Sequence, residues 1–245
     1  MIVEATTADG ATLRVDCPDT LASRWTSEAI LQGRTYPDVP FLGPVRTIVD
    51  AGANVGAATV YFAHHHPGAR IHAVEPAEEA LSYLERNVGT LPNVTVHPIG
   101  LADNDSTAQL HHSDGDIGQA SIHHHAGSAS AEPITVRDAG RWAAEQGIAQ
   151  IDILKIDVEG CEVQVVESLG PLVAGAKVIY IEYDSRDARR RIDTILAPTH
   201  ELYLGTVFLD QGECAYVRSD LVVDTERAHE HLRRVLADRF RDQPG

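Results

Sequence analysis

Thr47-Ile48-Val49-Asp50-Ala51-Gly52-Ala53-Asn54-Val55-Gly56 is an apolar run that ends in an acid and breaks into a glycine-bearing turn. The β-branched Ile48 and Val49 suit a strand covered on both faces. Gly52 and Gly56 have no Cβ, so backbone there can approach a ligand closely. A second apolar strand follows, Ile71-His72-Ala73-Val74, and it ends in Glu75. A glycine turn after one strand and a carboxylate at the tip of the next is how α/β folds hold a nucleoside, with the acid on the ribose hydroxyls. The pattern predicts an adenosine-containing cofactor.

Two such cofactors compete. A nicotinamide dinucleotide site carries glycine at the first, third and sixth positions of the turn, so that pyrophosphate reaches a helix N-terminus. Here the third position is Asn54 and the sixth is Ala57. Asp50, two residues before the first glycine, would repel a pyrophosphate. It suits a tail that carries an ammonium, as the methionine part of S-adenosylmethionine does. Electrostatics therefore favour a methyl donor over NAD.

A second run, Ile151-Asp152-Ile153-Leu154-Lys155-Ile156-Asp157-Val158-Glu159-Gly160-Cys161-Glu162, is another buried strand with a charged end. Period two places Lys155, Asp157 and Glu159 on one side if the strand continues that far. Charges clustered at a strand's C-terminal end are costly to bury unless paired or bound to something, and ligands of open α/β sheets sit at that edge. A local reading competes for Glu159 and Glu162, which would favour the positive end of the next helix.

Taken together, T-I-V-D-A-G-A-N-V-G and I-D-I-L-K-I-D-V-E-G-C-E resemble the FkbM family of S-adenosylmethionine-dependent methyltransferases. Ile30-Leu31-Gln32-Gly33-Arg34-Thr35-Tyr36, and Val74-Glu75-Pro76 with the helix through Leu84 and Asn87, share the likeness, which covers residues 28–185. The resemblance implies a doubly wound, Rossmann-like class I methyltransferase sheet, mostly parallel with an antiparallel C-terminal hairpin. It also implies methylation of a hydroxyl or carboxyl oxygen on a small molecule, often a secondary metabolite or sugar.

Composition narrows the partners. The 245 residues are 43% hydrophobic with a net charge of −16, which fits one large packed domain and disfavours nucleic acid and anionic membranes. Cys17, Cys161 and Cys214 form no C-x-x-C pair, so a reducing cytoplasm is expected. No basic leader or membrane-length apolar run is evident. The expected partner is a small-molecule acceptor, with a homodimer left open.

Residues 1–40 read as an N-terminal extension, a hairpin turning at Asp9-Gly10 followed by a helix capped at Asp19 or Thr20; residues 41–245 read as the methyltransferase domain. In the core, strands at 45–50, 70–75, 94–101, 151–156 and 177–182 alternate with helices, and 200–208 with 213–218 reads as a hairpin. Residues 107–111 should pair back on 98–103 through Asp103-Asn104-Asp105. The polar segment 112–131 reads as a loop that walls the acceptor.

Asp50, Gly52, Asn54 and Gly56 are expected around the methionine part, Glu75 on the ribose, and Gly100 with Leu101 beside adenine. Tyr36 is either an aromatic face for the sulfonium or a packing residue. Methyl transfer to an alcohol needs a proton acceptor. Asp157 is the best placed candidate, also as a cofactor contact; Glu159, Glu182 and the loop histidine His124 follow. Converging carboxylates repel unless one is protonated, Lys155 or Arg186 neutralises them, or a divalent cation joins them; no metal ligand is assigned. A binding protein without turnover and an NAD-dependent oxidoreductase are the alternatives.

Overall fold

The computed structural model describes residues 1–113, 116–121, 128–222 and 225–241, with side chains described at 1–111, 130–222 and 225–237. The strands are β1 (Ile2–Thr6), β2 (Thr12–Asp16), β3 (Thr47–Ala51), β4 (Arg70–Val74), β5 (Val94–His97), β6 (Gly100–Ala102), β7 (Ser106–Ser113), β8 (Asp116–Ser121), β9 (Ser128–Asp138), β10 (Ile153–Ile156), β11 (Val178–Tyr183), β12 (His200–Val207) and β13 (Gly212–Arg218). The helices are α1 (Leu21–Leu31), α2 (Ala57–His65), α3 (Glu78–Val88), α4 (Ala139–Glu145), α5 (Glu162–Leu169), α6 (Pro171–Gly175), α7 (Arg186–Leu196) and α8 (Thr225–Arg241).

Seven strands form the central sheet in the order β12-β13-β11-β10-β3-β4-β5. β3, β4, β5, β10 and β11 run parallel, and β13 enters antiparallel between β11 and β12. This is the expected doubly wound α/β sheet with an antiparallel C-terminal hairpin. The chain order reverses between β3 and β10, so their C-terminal ends flank the crevice where such sheets bind ligands.

Alternation along each strand feeds two cores. Ile48, Ile71, Ile153, Val178 and Tyr180 pack with Ala58 and Phe62 of α2 on one face. Val49, Leu154, Ile156, Ile179 and Ile181 pack with residues of α4, α5 and α7 on the other. Because the period is two, Asp50, Lys155 and Glu182 follow Ile48, Ile153 and Tyr180 on the first face, toward the crevice.

β1 and β2 form a separate hairpin whose turn places Gly10 at φ 87°. Thr20 caps α1 by accepting from Ser23 N. Val3, Val15, Ile30 and Leu31 join the first core. Asn87 ties this segment to α3, accepting from Asp16 N and donating to Asp16 O and Val55 O.

Three sequence expectations fail in the middle of the chain. The strand expected over 94–101 is two strands in different sheets. Pro98, with no N–H to donate, breaks it, and β6 joins a four-stranded sheet ordered β6-β9-β7-β8. β7 does not pair with β6, because β9 lies between them, parallel to β6 and antiparallel to β7. Asp105 explains the detour: it accepts from Asp138 N and pairs with Arg137 and Arg141, anchoring the end of β9 rather than a hairpin turn. The polar segment 112–131 is also not simply a loop, since β8 and the start of β9 lie in it; polarity does not prevent backbone pairing. Residues 122–127, including His124, fall outside the described residues. Among the described residues no helix is long and apolar enough to cross a membrane.

Candidate active site

The β3–α2 turn is shaped by close backbone packing. Gly52 has φ 78°, and a Cβ there would lie 1.7 Å from the carbonyl oxygen of Asp157. Gly56 has φ 89°, and its Cβ would meet Leu84 Cδ1 at 2.7 Å. The expectation that both glycines exist for ligand approach is therefore corrected. Gly52 lines the crevice but is required by the tip of β10, and Gly56 is buried against α3. Asn54 stands between them at φ 49°, a left-handed conformation Asn tolerates better than most residues.

Asp50 also differs from expectation. It is fully buried, its Oδ2 accepts from Thr59 Oγ1 at 2.6 Å, and it lines neither cavity described below. Its position on β3, directly across from Lys155 on β10, turns it to that ammonium. Lys155 Nζ lies 3.4 Å from Asp50 and 3.3 Å from Asp157, and donates to Gly52 O. Burial works against the charge of Lys155, but the carboxylates of Asp157 and Asp50 outweigh it and hold the ammonium above its usual range. Lys155 thus neutralises two acids and clamps the glycine turn to β10.

Tyr36 is a wall residue of the same assembly. Its hydroxyl donates to Asp157 Oδ2 at 3.5 Å, and its ring lies 5.9 Å from Lys155 Nζ. The cation that its face meets in this structure is Lys155.

Two cavities open over the switch point. The first is slot-like and apolar, bounded by Ile99, Gly100, Leu101, Leu110, Ile134 and Val136, with Glu75 at one side. Both Glu75 oxygens are held by backbone: Oε2 accepts from Asn54 N at 2.7 Å and Oε1 from Ala77 N at 2.9 Å. Burial nevertheless pushes its pKa up to about 7. Each oxygen keeps a lone pair for a further donor. The second cavity, about 270 Å³, lies under α1 and reaches Glu182 and Glu213. Gly52, Asn54, Asp157 and Glu159 line both and form the wall they share. On that wall the Asn54 Oδ1 atom is closed off from solvent and accepts no hydrogen bond.

Glu159, at φ 55°, has its pKa raised to about 8, mainly by burial and then by Asp157. Glu182 is pushed to about 9 by burial, with Asp157, Glu159 and Glu213 adding to it. Glu162 follows its local reading, closing the Asp157–Gly160 turn by accepting from Val158 N and Gly160 N. Among the described residues, one group of metal-ligand side chains lies within 4.8 Å of one another: Asp9, His64 and His65, on the N-terminal hairpin and α2. The crevice carboxylates are not gathered that way.

The structure brings Tyr36, Gly52, Asn54, Glu75, Gly100, Leu101, Asp157, Glu159 and Glu182 to these two cavities; Asp50 and Gly56 lie behind them. Sequence reasoning missed Glu213, the polar residues of α1, and Leu110, Ile134 and Val136 of the second sheet. The alternation of β13 was a signal for Glu213, but only its register with β11 reveals it.

The donor set fits S-adenosylmethionine. The apolar slot suits adenine, the Glu75 carboxyl suits ribose hydroxyls, and the Asn54 oxygen awaits an N–H donor such as the methionine ammonium.

Comparison with known proteins agrees. The family model described as "Methyltransferase FkbM domain" matches residues 50–238. The chain is 26% identical over 160 residues to the 2-O-methyltransferase NoeI of Sinorhizobium fredii, covering 59% of this chain and 65% of that protein. It is 27% identical over 229 residues to the AMB antimetabolite synthetase AmbE of Pseudomonas aeruginosa, covering 75% of this chain and 11% of that one. The chain thus spans just under two thirds of NoeI and a small part of AmbE. Among solved structures, the precorrin-6y C5,15-methyltransferase of Geobacter metallireducens superposes with a TM-score of 0.48 at 12% identity, over 84% of this chain and 94% of that one. With residues 50–238, most of its length, matched, the chain belongs to the methyltransferase FkbM domain family.

Proposed function

We propose that this chain transfers a methyl group from S-adenosylmethionine to a hydroxyl oxygen of a small molecule. One observation carries the reading: two cavities of different chemistry meet at a single wall made by Gly52, Asn54, Asp157 and Glu159. A donor in the apolar cavity and an acceptor in the polar one face each other only there. The relative NoeI is a 2-O-methyltransferase, which favours oxygen.

Glu75 holds the ribose, the slot beside Gly100 and Leu101 holds adenine, and Asn54 receives the ammonium. When bound, the donor supplies a methyl group already activated on a sulfonium, so the protein's main task is alignment. The hydroxyl must also lose its proton. Asp157 is held by Lys155 and Tyr36, and Glu159, raised to about 8, lines both cavities with a pKa near working pH, as a general base needs. Glu159 therefore takes the proton, and Asp157 with Tyr36 orients the wall. Asn54 and Ala57, where a dinucleotide turn needs glycine, disfavour NAD.

Calorimetry with S-adenosylmethionine, S-adenosylhomocysteine and NAD tests this. The first two should bind and NAD should not. Absence of binding by both sulfur nucleosides, or binding by NAD alone, would defeat it. Mass spectrometry of cell extracts incubated with deuteriomethyl donor then separates an enzyme from a binding protein without turnover.

A further inference from the structure

The turn of the N-terminal hairpin meets α2 at the end away from the crevice, and three side chains with metal-ligand atoms gather there. Asp9, His64 and His65 each bring one such atom within 4.8 Å of the other two. His64 Nε2 lies 2.9 Å from Asp9 Oδ2. Consecutive residues of a helix point about 100° apart, yet the two imidazoles approach edge-on with 5.0 Å between centroids. His66, the next residue, is turned to Asp38 at 3.5 Å instead.

Asp9 is held in place by its own turn. Its Oδ1 accepts from Thr7 Oγ1 and, at 3.4 Å, from Ala11 N, which leaves Oδ2 facing α2. The carboxylate is 53% exposed, so an ion has an entry path from solvent. An ion pair with Asp9 and the C-terminal dipole of α2 would account for His64. They do not account for His65. Its ring packs on Tyr61 at 4.4 Å between centroids, and its Nε2 is shut off from solvent with no hydrogen-bond partner among the described residues. A buried polar atom left in that state is costly, and an imidazole nitrogen is a common metal ligand.

Two imidazoles and a carboxylate are a donor set for zinc rather than for magnesium or calcium, which take oxygen ligands. With metal–ligand bonds of about 2.0–2.1 Å, ligand atoms on a tetrahedron stand about 3.3 Å apart. The group therefore needs to close by at most about 1.5 Å, within reach of side-chain rotation at an exposed turn. Water would fill the fourth position.

We propose that Asp9, His64 and His65 bind one zinc-class divalent ion that pins the N-terminal hairpin to α2. The helix runs about 13 Å from the crevice to these histidines, so the ion clips the fold and takes no part in methyl transfer. α1, which walls the second cavity, follows the same hairpin in the chain, and the clip fixes the extension that carries it.

Untagged protein stripped with EDTA and titrated with zinc chloride tests this. One equivalent should bind, and a hundredfold excess over the dissociation constant should raise the melting temperature by about 5–10 °C. Cobalt(II) in place of zinc should show the visible bands of a low-coordinate nitrogen–oxygen site. His65→Phe keeps a ring against Tyr61 and removes the nitrogen. It should weaken zinc at least about a hundredfold, with the metal-free melting temperature close to the parent's. Asp9→Asn should weaken zinc likewise. The run His123-His124-His125 is a rival site in the sequence, so His123→Ala, His124→Ala and His125→Ala together should leave binding intact. No saturable zinc binding, binding that survives His65→Phe and Asp9→Asn, or binding lost in the triple variant overturns the proposal.

Discussion

Both ends of β10 carry carboxylates, buried at one end and half-buried at the other, and the two ends treat them oppositely. At the N-terminal end Asp152 accepts from Arg46 N, Thr47 N and Gln150 Nε2 and pairs with Lys177 at 3.0 Å. Burial works to raise its pKa, but these donors outweigh burial and hold it below the usual range. At the C-terminal end Glu159, and Glu182 on the neighbouring strand β11, are pushed up to about 8 and about 9. The same strand thus begins beside a satisfied ion and ends beside acids of its own turn and of β11 that raise each other's pKa. The second arrangement lines the two cavities, where the proposed function puts cofactor and acceptor.

The largest effect expected from this contrast is at the lysines. Lys155→Met leaves Asp50 fully buried without its cation, and should cost about 3–5 kcal/mol in urea unfolding while abolishing S-adenosylmethionine binding. Lys177→Met makes the same chemical change at the other end. There three neutral donors still hold Asp152, so the cost should be about 1 kcal/mol with cofactor binding intact. Equal costs would show that the two ends are not built differently.

Next comes Glu159→Gln. Removing a positioned base should lower turnover about 100-fold, with S-adenosylmethionine affinity nearly unchanged. The parent's kcat/KM should rise toward a plateau near the pKa of about 8, and the variant should lose that rise. A variant that keeps both rate and profile would move the role to another carboxylate.

A smaller effect should appear at Glu75. Its carboxylate form accepts ribose hydroxyls, and burial raises its pKa to about 7. S-adenosylhomocysteine affinity should therefore weaken as pH falls through that value, by about tenfold per unit once the group is protonated. Calorimetry across this range should show the slope in the parent and a flat, weak response in Glu75→Gln.

How much of this was legible in the sequence follows from where the partners lie. The cofactor half was readable because its parts are consecutive residues: a strand, a turn, and the acid at the next strand tip. The glycines were found, but their reason was not, since Asp157 O and Leu84 come to Gly52 and Gly56 only through strand adjacency and helix packing. Asp50 was misplaced because period two fixes a face but not depth. The second sheet escaped because β8 and β9 each pair with β7 through backbone in a polar stretch where hydropathy is uninformative. Glu213 escaped because its opposition to Glu182 depends on β13 inserting antiparallel between β11 and β12.

The smallest predicted effect compares the two ends by pH alone. Glu182 has a folded pKa of about 9 against an ordinary value of 4.5, so between those values the folded chain holds a proton that the unfolded chain has lost. Stability from this group is complete below the lower value and is lost as pH rises through the upper one. Asp152 has the opposite sign: its contribution is present above its ordinary value of 3.8 and disappears as pH falls through its depressed folded pKa. Glu182→Gln keeps the neutral shape without the titration. Its melting temperature should match the parent's near pH 4.5 and exceed it increasingly toward pH 9. A variant less stable than the parent on the alkaline side would mean that the Glu182 carboxylate is satisfied in the fold, and the contrast between the two ends of β10 would collapse.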